Sequence, residues 1–373
     1  MQLRAARASE NREIDFDLHG LVGVRLVNAG EAEAGVVTRQ IGPVRRPLPG
    51  EPDIVVEFVD HLKEEDVRFV GLNDVAYSKN SFLLQPRGPG RPSARLHLDG
   101  IGQGCRIVCE RGTAPVPLLI AVVNLTMLSK GIVPVHGSAF TYRGTGVLVT
   151  GWAKGGKTEV LLSFMQQGAE YVGDEWVYVD PETRRMYGIP EPIRLWDWHF
   201  PDVPEYLDAV GRRGRTRLKA MRVARDVGSR LSSGGGSIAR AADRITPVLQ
   251  RQMFVHAPPA SLFGPRACAL EGKLEKLVFV VSHSSSDVTV EPVDSGEVIR
   301  RMLFSLRYER LPLYSTYLKY RFAFPAAAIP AIEEAEDRES KLLSALSGIQ
   351  AYALYHPFPA PIGRLFSALE PVL

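Results

Sequence analysis

The chain is poor in cysteine, and its few cysteines follow no ligand pattern. Cys105, Cys109 and Cys268 are the only three among 373 residues, and no CxxC pair or matching His/Cys spacing accompanies them. Three cysteines cannot form a disulfide framework, and structural zinc sites normally need paired ligands at short spacing. The sequence therefore excludes a small domain held together by disulfides or by structural zinc.

No segment is long and apolar enough to suggest insertion into a membrane. The best candidate, residues 118–128, is interrupted by Asn124 and Thr126, whereas a transmembrane helix needs roughly 18 apolar residues. Residues 1–17 contain no apolar core of a signal peptide. We therefore expect a cytoplasmic protein without a membrane partner.

Charge is nearly balanced over the whole chain, with 45 Lys and Arg against 42 Asp and Glu. This balance gives no reason to expect nucleic-acid binding. Residues 211–251 are the exception, because they hold eleven Arg or Lys against Asp226 and Asp243. Arginine suits bidentate contact with phosphate or carboxylate, and the Ser/Gly-rich run 231–237 is typical of a flexible linker. We predict a basic, mobile insertion that acts as a lid or clamps an acidic acceptor; the alternative is a solvated helix face.

Short β-prone runs dominate the first part of the chain. They are separated by clusters of Gly, Pro and Asn, which favour turns. The predicted strands are residues 21–27, 54–59, 67–70, 82–84, 94–98 and 106–109. We therefore predict a β-rich N-terminal module over residues 1–112. A buried helix over 117–130 is expected next, with Gly131 just past its C-terminus.

The pattern after residue 132 favours an α/β fold. The predicted strands are residues 132–140, 146–150, 169–180, 184–189, 276–283 and 288–293. A glycine-rich loop and a helix from Lys157 to about 167 follow the second of these strands. Strand 184–189 is expected to pair with strand 169–180 across a turn, and the C-terminal portion is expected to be mainly helical.

Residues 151–158, GWAKGGKT, fit the phosphate-loop pattern G-x-x-x-x-G-K-[ST]. In such a loop the glycines let backbone N–H groups point at a phosphate, and the dipole of the following helix favours negative charge. The predicted nucleotide-binding residues are Gly151, Trp152, Ala153, Lys154, Gly155, Gly156, Lys157 and Thr158. Lys157 would reach the β- and γ-phosphates of ATP, and the Thr158 hydroxyl would hold Mg²⁺. The alternative is a glycine turn that happens to end in lysine.

Three segments in a fixed order resemble the C-terminal catalytic domain of HPr kinase/phosphorylase and its relatives. They are VHGSAF, with His136 fifteen residues before Gly151, then GWAKGGKTE, then GAEYVGDE. The similarity covers residues 135–179. It implies an HPr-kinase-like P-loop domain over residues 113–373 and an ATP-dependent kinase that transfers the γ-phosphoryl group to a hydroxyl.

The resemblance also implies roles for individual side chains. Asp174 would be the general base toward the acceptor hydroxyl, and Glu175 would help to bind Mg²⁺. Glu159 would support the metal site, and His136 would pair with Asp174 or with a phosphate. Adjacent strand residues point to opposite faces, so Asp174 and Glu175 would act together only if the chain turns there. Each also has an ordinary structural interpretation: a solvated strand end, a satisfied histidine, or a glutamate favoured by the helix dipole.

Two further features are candidates for the site. The aromatic segment 195–200, LWDWHF, would stack an adenine, receive a peptide side chain, or simply belong to the core. Arg266 would supply a cation facing a phosphate. The chain has no clear counterpart of the family's Gly- and Arg-containing signature after the acidic pair. The resemblance therefore implies kinase activity and leaves open both phosphorolysis and the identity of the acceptor.

Two hypotheses of different classes follow. In the first, the chain is a kinase acting on Ser or Thr of a protein or peptide, or on a small-molecule alcohol. In the second, it is a nucleotide-sensing regulatory protein with an intact phosphate loop and no transfer. A motor or switch NTPase is disfavoured because no apolar strand ending in Asp matches the Walker B pattern. Whether the chain forms a homo-oligomer, as the resembled ring-shaped enzymes do, is left open.

Overall fold

The computed structural model describes residues 13–63, 66–71, 75–84, 93–232 and 252–373. In this part of the chain two large β-sheets and the helices packed against them make a mixed α/β fold. The predicted α/β class is confirmed at that level.

The first sheet has eight strands in the order β1-β2-β3-β8-β7-β6-β5-β4. They are β1 (Ile14–Leu18), β2 (Val22–Val27), β3 (Ile54–Val59), β4 (Arg68–Phe69), β5 (Val75–Ser78), β6 (Ser81–Leu84), β7 (Ala94–His97) and β8 (Cys105–Glu110). Strand β3 is parallel to both of its neighbours, β2 and β8, and the other pairs are antiparallel. A β-rich N-terminal region is therefore present, with β1 and β5 in addition to the predicted strands.

Helix α1 (Glu31–Ile41) connects the parallel strands β2 and β3 and was not predicted. At its start the Gly30 N–H donates to Glu33 Oε2 at 2.9 Å. Its buried residues, Ala34, Val37 and Ile41, lie on one helical face, and burial of that face outweighs the weak helix propensity of the Val-Val-Thr run.

Helix α2 (Leu119–Ser129) confirms the predicted buried helix and its termination. Gly131 has a φ of 80°. Its N–H bonds to the Leu128 carbonyl and the Ile132 N–H bonds to the Met127 carbonyl, at 3.1 and 3.0 Å. This pair of bonds is the Schellman arrangement that a left-handed residue after a helix permits.

The second sheet also has eight strands. They are β9 (Val133–Tyr142), β10 (Thr145–Gly151), β11 (Glu170–Gly173), β12 (Trp176–Asp180), β13 (Arg185–Gly188), β16 (Glu271–His283), β17 (Thr289–Val293) and β18 (Gln350–Pro357). The pairings β10–β9–β12–β13–β16 close into a ring because β16 also pairs in parallel with β10, while β18 and β17 continue from β16. The predicted pairing of β12 with β13 is confirmed.

One expectation for this sheet was wrong, and a second was confirmed but missed one strand. The single strand expected over 169–180 is two strands, β11 and β12, because the chain turns sharply at Asp174 and Glu175. The mainly helical C-terminal portion contains the strand β18, which lies inside the sheet between β16 and β17. Residues 351–354 of β18 are all buried, because partners far away in sequence cover both faces of the sheet there.

The remaining described elements are helices and one small sheet. They are α3 (Lys157–Met165), β14 (Ile193–Trp196), α4 (Tyr206–Ala209), α5 (Gly211–Ser232), β15 (Phe254–Ala257), α6 (Pro259–Phe263), α7 (Ser295–Ala323), α8 (Pro330–Glu333), α9 (Ala335–Ser344) and α10 (Ile362–Leu369). Helices α3 and α10 share one apolar core with the second sheet, and α7 and α9 share another. The basic segment is helical as α5 up to Ser232, and residues 233–251 lie outside the described residues.

One apolar core contains residues from both sides of the boundary predicted at residue 112. It joins residues of the first sheet to α2, to Tyr178 of β12 and to Tyr317 and Tyr320 of α7. Among the described residues, no helix combines the length and apolar character that a membrane span needs.

Candidate active site

The phosphate-loop motif occupies the turn between β10, which ends at Gly151, and α3, which begins at Lys157. Gly156 precedes the helix with a φ of 107°, and no side chain caps this helix start. The backbone N–H groups of the first turn are therefore available to an anion. A Cβ atom on Gly156 would lie 2.3 Å from His356 Nε2, so only glycine fits there.

His356 packs against the phosphate loop, and the sequence did not predict this contact. Its ring is fully buried in β18, and Nε2 donates to the Gly155 carbonyl at 2.8 Å. No local pattern indicates this contact, because β18 lies some 200 residues from the loop, in a portion of the chain expected to be mainly helical.

Lys157 is 7% exposed and folds back onto the loop. Its Nζ donates to the carbonyls of Trp152 and Gly151 at 3.0 and 3.3 Å. Burial lowers the pKa of Lys157, while the charges of nearby carboxyls, Glu175 first, oppose that shift. Ser138 of β9 fixes the lysine backbone by donating to its carbonyl at 2.9 Å.

Asp174 and Glu175 form the turn between β11 and β12, which we call the acidic turn. Glu175 has a φ of 64°, and the Trp176 N–H bonds back to the Asp174 carbonyl at 2.8 Å. This three-residue turn with a left-handed non-glycine centre is a strained conformation of the kind found at functional sites. It rotates the chain so that Asp174 and Glu175 both line one pocket.

Asp174 is 2% exposed and faces the phosphate loop. The Thr158 hydroxyl contacts both carboxylate oxygens of Asp174 at 3.1 and 3.2 Å. Burial raises the pKa of Asp174 to about 8, helped by the negative charge of Glu175. The phosphate loop and the acidic turn are thereby joined by a direct contact.

Glu175 is paired with His136, which lies beside it because β9 and β12 place His136 opposite Trp176. His136 Nε2 and Glu175 Oε2 are 3.1 Å apart, and His136 Nδ1 lies 3.1 Å from Glu309 Oε1 of α7. The hydrogen bond from His136 lowers the pKa of Glu175 to about 2. His136 therefore contacts two glutamates, and its partner in the acidic turn is Glu175 instead of Asp174.

Glu159 is buried in the first turn of α3. Its Oε1 lies 3.0 Å from Nε2 of His199, which is 1% exposed. This contact connects α3 to the aromatic segment 195–200, and it occupies one oxygen of the carboxylate predicted to support the metal site.

These groups line a single pocket with a volume of about 620 Å³. Four charged residues that the sequence did not single out also line the pocket: Arg39 of α1, Glu191, Arg194 and Glu309 of α7. Glu191 Oε1 and Arg194 Nε are buried without a hydrogen-bond partner among the described residues. Arg266 is exposed and does not line this pocket, so the arginines at the site are Arg39 and Arg194.

An aromatic wall borders the pocket. Trp196 and Trp198 stack with ring centroids 4.6 Å apart and an angle of 9° between their planes. Lys154 Nζ lies 5.4 Å from the centroid of Trp196. The aromatic segment is therefore divided: its two tryptophans face the pocket, while Leu195 and Phe200 belong to the core.

Mg²⁺ bound with a nucleotide usually takes one or two protein ligands and completes its shell with phosphates and waters. Within the described ranges, no cluster of three or more His, Cys, Asp or Glu side chains is arranged to hold a metal ion. Mg²⁺ prefers hard oxygen donors. The site offers three of them close together: the Thr158 hydroxyl and the carboxylates of Asp174 and Glu175.

Comparison with known proteins adds no family. No family model matches the chain, and no curated protein matches it.

Proposed function

We propose that the chain is an ATP-dependent phosphotransferase that moves the γ-phosphoryl group of ATP to a hydroxyl. Ser or Thr of a protein or peptide is the favoured acceptor class, and a small-molecule alcohol is the alternative. The observation that carries the proposal is the contact between Thr158 and Asp174 inside one pocket. It places a loop with the phosphate-binding pattern directly beside a buried carboxyl, which is the pairing of phosphate cradle and base that phosphoryl transfer uses.

The loop fits the triphosphate by its chemistry. The uncapped start of α3 offers backbone donors, and Lys154 and Lys157 add two cations. Lys157 would turn from the Gly151 and Trp152 carbonyls toward the phosphates. Trp196 and Trp198 offer a stacking surface to the nucleotide base.

The acidic turn would supply the other two functions. Thr158 and Glu175 would hold Mg²⁺, which neutralises charge on the phosphates when bound. Asp174 would accept the proton of the acceptor hydroxyl. A carboxylate with a raised pKa is a stronger base once it is ionised. The positive charge of Lys157 lowers the pKa of Asp174 and so favours its ionised form.

Arg194 would neutralise charge that develops on the transferred phosphoryl group. It lines the pocket and forms no ion pair among the described residues, while its guanidinium lies 4.9 Å from the ring centroid of Phe254. An arginine without a carboxylate partner in a phosphate pocket is placed to bind an anionic group.

The test is transfer of label from γ-labelled ATP with Mg²⁺ into protein, peptide and small-molecule fractions of a host extract. Lys157→Ala should lose both ATP binding and transfer. Asp174→Asn should keep ATP binding within a few-fold and lower transfer by about a hundredfold or more, as expected for a missing general base. Glu170→Gln, an exposed carboxyl at the start of β11, is the matched control and should behave as wild type.

A second pair of variants tests the arginine. Arg194→Gln should lower transfer by about a hundredfold, whereas Arg266→Gln should leave it unchanged. ATP binding without label in any fraction, unaffected by Asp174→Asn, would overturn the kinase proposal and favour a nucleotide-sensing regulatory protein.

A further inference from the structure

Helix α7 carries a row of exposed apolar side chains that nothing in the described part of the chain covers. The exposed fractions are 59% for Phe304, 48% for Tyr308, 51% for Leu311, 52% for Leu318 and 78% for Phe322. The opposite face of the helix is buried in the molecule through Met302, Leu306, Leu313, Tyr317 and Tyr320. Exposed apolar patches of this kind mark interaction sites.

The row has the spacing of a coiled-coil interface. Together with the exposed Ser315, its members are separated alternately by four and three residues, which is the a/d repeat of two packed helices. We call these six positions, 304, 308, 311, 315, 318 and 322, the α7 seam. A helix that packs against the α7 seam must carry apolar residues with the same spacing.

The α7 seam matches itself when a second copy runs in the opposite direction. Reversal about Leu313 places Phe304 opposite Phe322, Tyr308 opposite Leu318 and Leu311 opposite Ser315. A large residue thus faces a large one at both ends, and a small one relieves crowding near the centre. A two-fold axis requires a patch that is complementary to itself in this way.

The exposed area is close to what a stable dimer requires. Large apolar side chains bury about 150–250 Å² each, so five that are about half exposed offer on the order of 500 Å². Trp152 and Tyr314, which are 51% and 42% exposed, raise this to about 700 Å², compared with about 800 Å² per partner in a standard interface.

Of the three cations beside the seam, two are paired within the chain, and the third, Lys319, is exposed. Arg307 pairs with Glu336 of α9, and Arg321 pairs with Glu333 of α8. The pairing of these two arginines reduces the repulsion between the copies, so that Lys319 is the main like charge that both copies bring to the flanks.

We propose that a second copy of this chain docks on the α7 seam, with the two α7 helices antiparallel about a two-fold axis near Leu313. This proposal does not rest on the proposed kinase activity. Helix α7 nevertheless contacts the phosphate loop: the ring centroids of Tyr308 and Trp152 are 4.9 Å apart, and the Ser305 hydroxyl donates to the Gly151 carbonyl at 3.5 Å. Packing of a partner on Tyr308 would restrict Trp152 in the loop.

Sedimentation of the full chain over a wide range of concentration tests the assembly. Wild type should reach twice its 41.1 kDa mass, and the double variant Leu311→Lys/Leu318→Lys should dissociate about a hundredfold more readily because two lysines would be buried at the seam. The control is Val223→Lys/Val227→Lys, which changes two equally exposed positions four residues apart on α5. It should sediment as wild type, and circular dichroism should show that both variants remain folded.

Orientation is tested by oxidative cross-linking in a Cys268→Ser background, since Cys105 and Cys109 are buried. The double variant Phe304→Cys/Phe322→Cys should form linked dimers, and Phe304→Cys alone should not. A wild type that stays monomeric, a dimer that the lysine pair leaves intact, or efficient linking by Phe304→Cys alone would each overturn the proposal.

Discussion

At the scale of single residues, the acidic turn divides two neighbouring carboxyls into different states. Glu175 is ionised and bonded to His136, whereas burial and that same negative charge raise the pKa of Asp174 to about 8. At neutral pH the pair therefore carries about one negative charge, and Asp174 must lose its proton before it can act as the proposed general base. Separation of neighbouring pKa values in this way is typical of sites that move protons.

The raised pKa of Asp174 predicts a pH-dependent cost to stability. Between its ordinary pKa of 3.8 and about 8, the folded chain keeps a proton that the unfolded chain has lost, so folding stability falls as pH rises through this range. Asp174→Asn removes this dependence and keeps the contact with Thr158. Its free energy of unfolding, relative to wild type, should increase from pH 4.5 to pH 8 by on the order of a few kcal/mol.

Denaturant unfolding at several pH values measures the difference. The same series with Glu170→Gln, which changes an exposed carboxyl of β11, should track wild type throughout. If wild type and Asp174→Asn differ by the same amount at pH 4.5 and pH 8, the carboxyl is not held protonated by burial.

At the scale of elements, the phosphate loop is held in place by β18 as much as by its own glycines. The Gly156 backbone requires a positive φ, and the His356 ring fills the space where a side chain would stand. The loop conformation is therefore set by a strand that the loop sequence does not contain.

Gly156→Ala should cost more than the backbone strain alone. Gly168, after α3, has a similar positive φ of 83°, and a Cβ atom added there would have no neighbour within 4 Å, so Gly168→Ala should cost about 1 kcal/mol of stability. Gly156→Ala adds the clash with His356, and we expect a loss of about 2–4 kcal/mol. The check is chemical denaturation of both variants.

The double variant Gly156→Ala/His356→Ala isolates the contact. Removing the ring should recover part of the loss, so the two substitutions should be non-additive by more than about 0.5 kcal/mol. Additive losses would show that the His356 ring moves aside for the methyl group that Gly156→Ala introduces, at no cost in stability.

At the scale of the whole molecule, the two sheets are joined through a shared core. The described core that includes the first sheet also buries Leu119, Val122 and Met127 of α2, which follow residue 112 in the chain. Arg39, from α1 in the N-terminal region, lines the same pocket as the phosphate loop. The N-terminal region therefore contributes both to stability and to the site.

A fragment of residues 113–373 should fail to fold as a stable unit. Without the first sheet, α2 would expose its buried residues, and each Leu or Val returned to water costs about 2 kcal/mol, against a typical total stability of about 5–15 kcal/mol. Residues 13–373 keep the whole described core and should melt as the full chain does. Thermal unfolding with a dye that binds exposed apolar surface compares the two; a cooperative melt of the shorter fragment near the wild-type temperature would contradict the shared core.

Local features of the fold follow from the sequence alone. The phosphate-loop pattern, the helix after it, the termination of α2 at Gly131 and the pairing of β12 with β13 depend on residues close together in the chain. For these, the preferences of glycine for positive φ and the periodicity of apolar residues are sufficient. The phosphate-loop pattern predicted Lys157 and Thr158, and the family resemblance implied His136, Asp174 and Glu175; the structure brings all five into one pocket.

The surroundings of these residues depend on tertiary packing. The turn at Glu175 adopts a strained backbone that no local preference favours, and it persists because His136 and the pairing of β9 with β12 hold it. Glu309, His356 and Arg194 reach the site from elements whose positions are fixed by core packing. Contacts across such distances depend on how whole faces are buried, and the local sequence does not encode that.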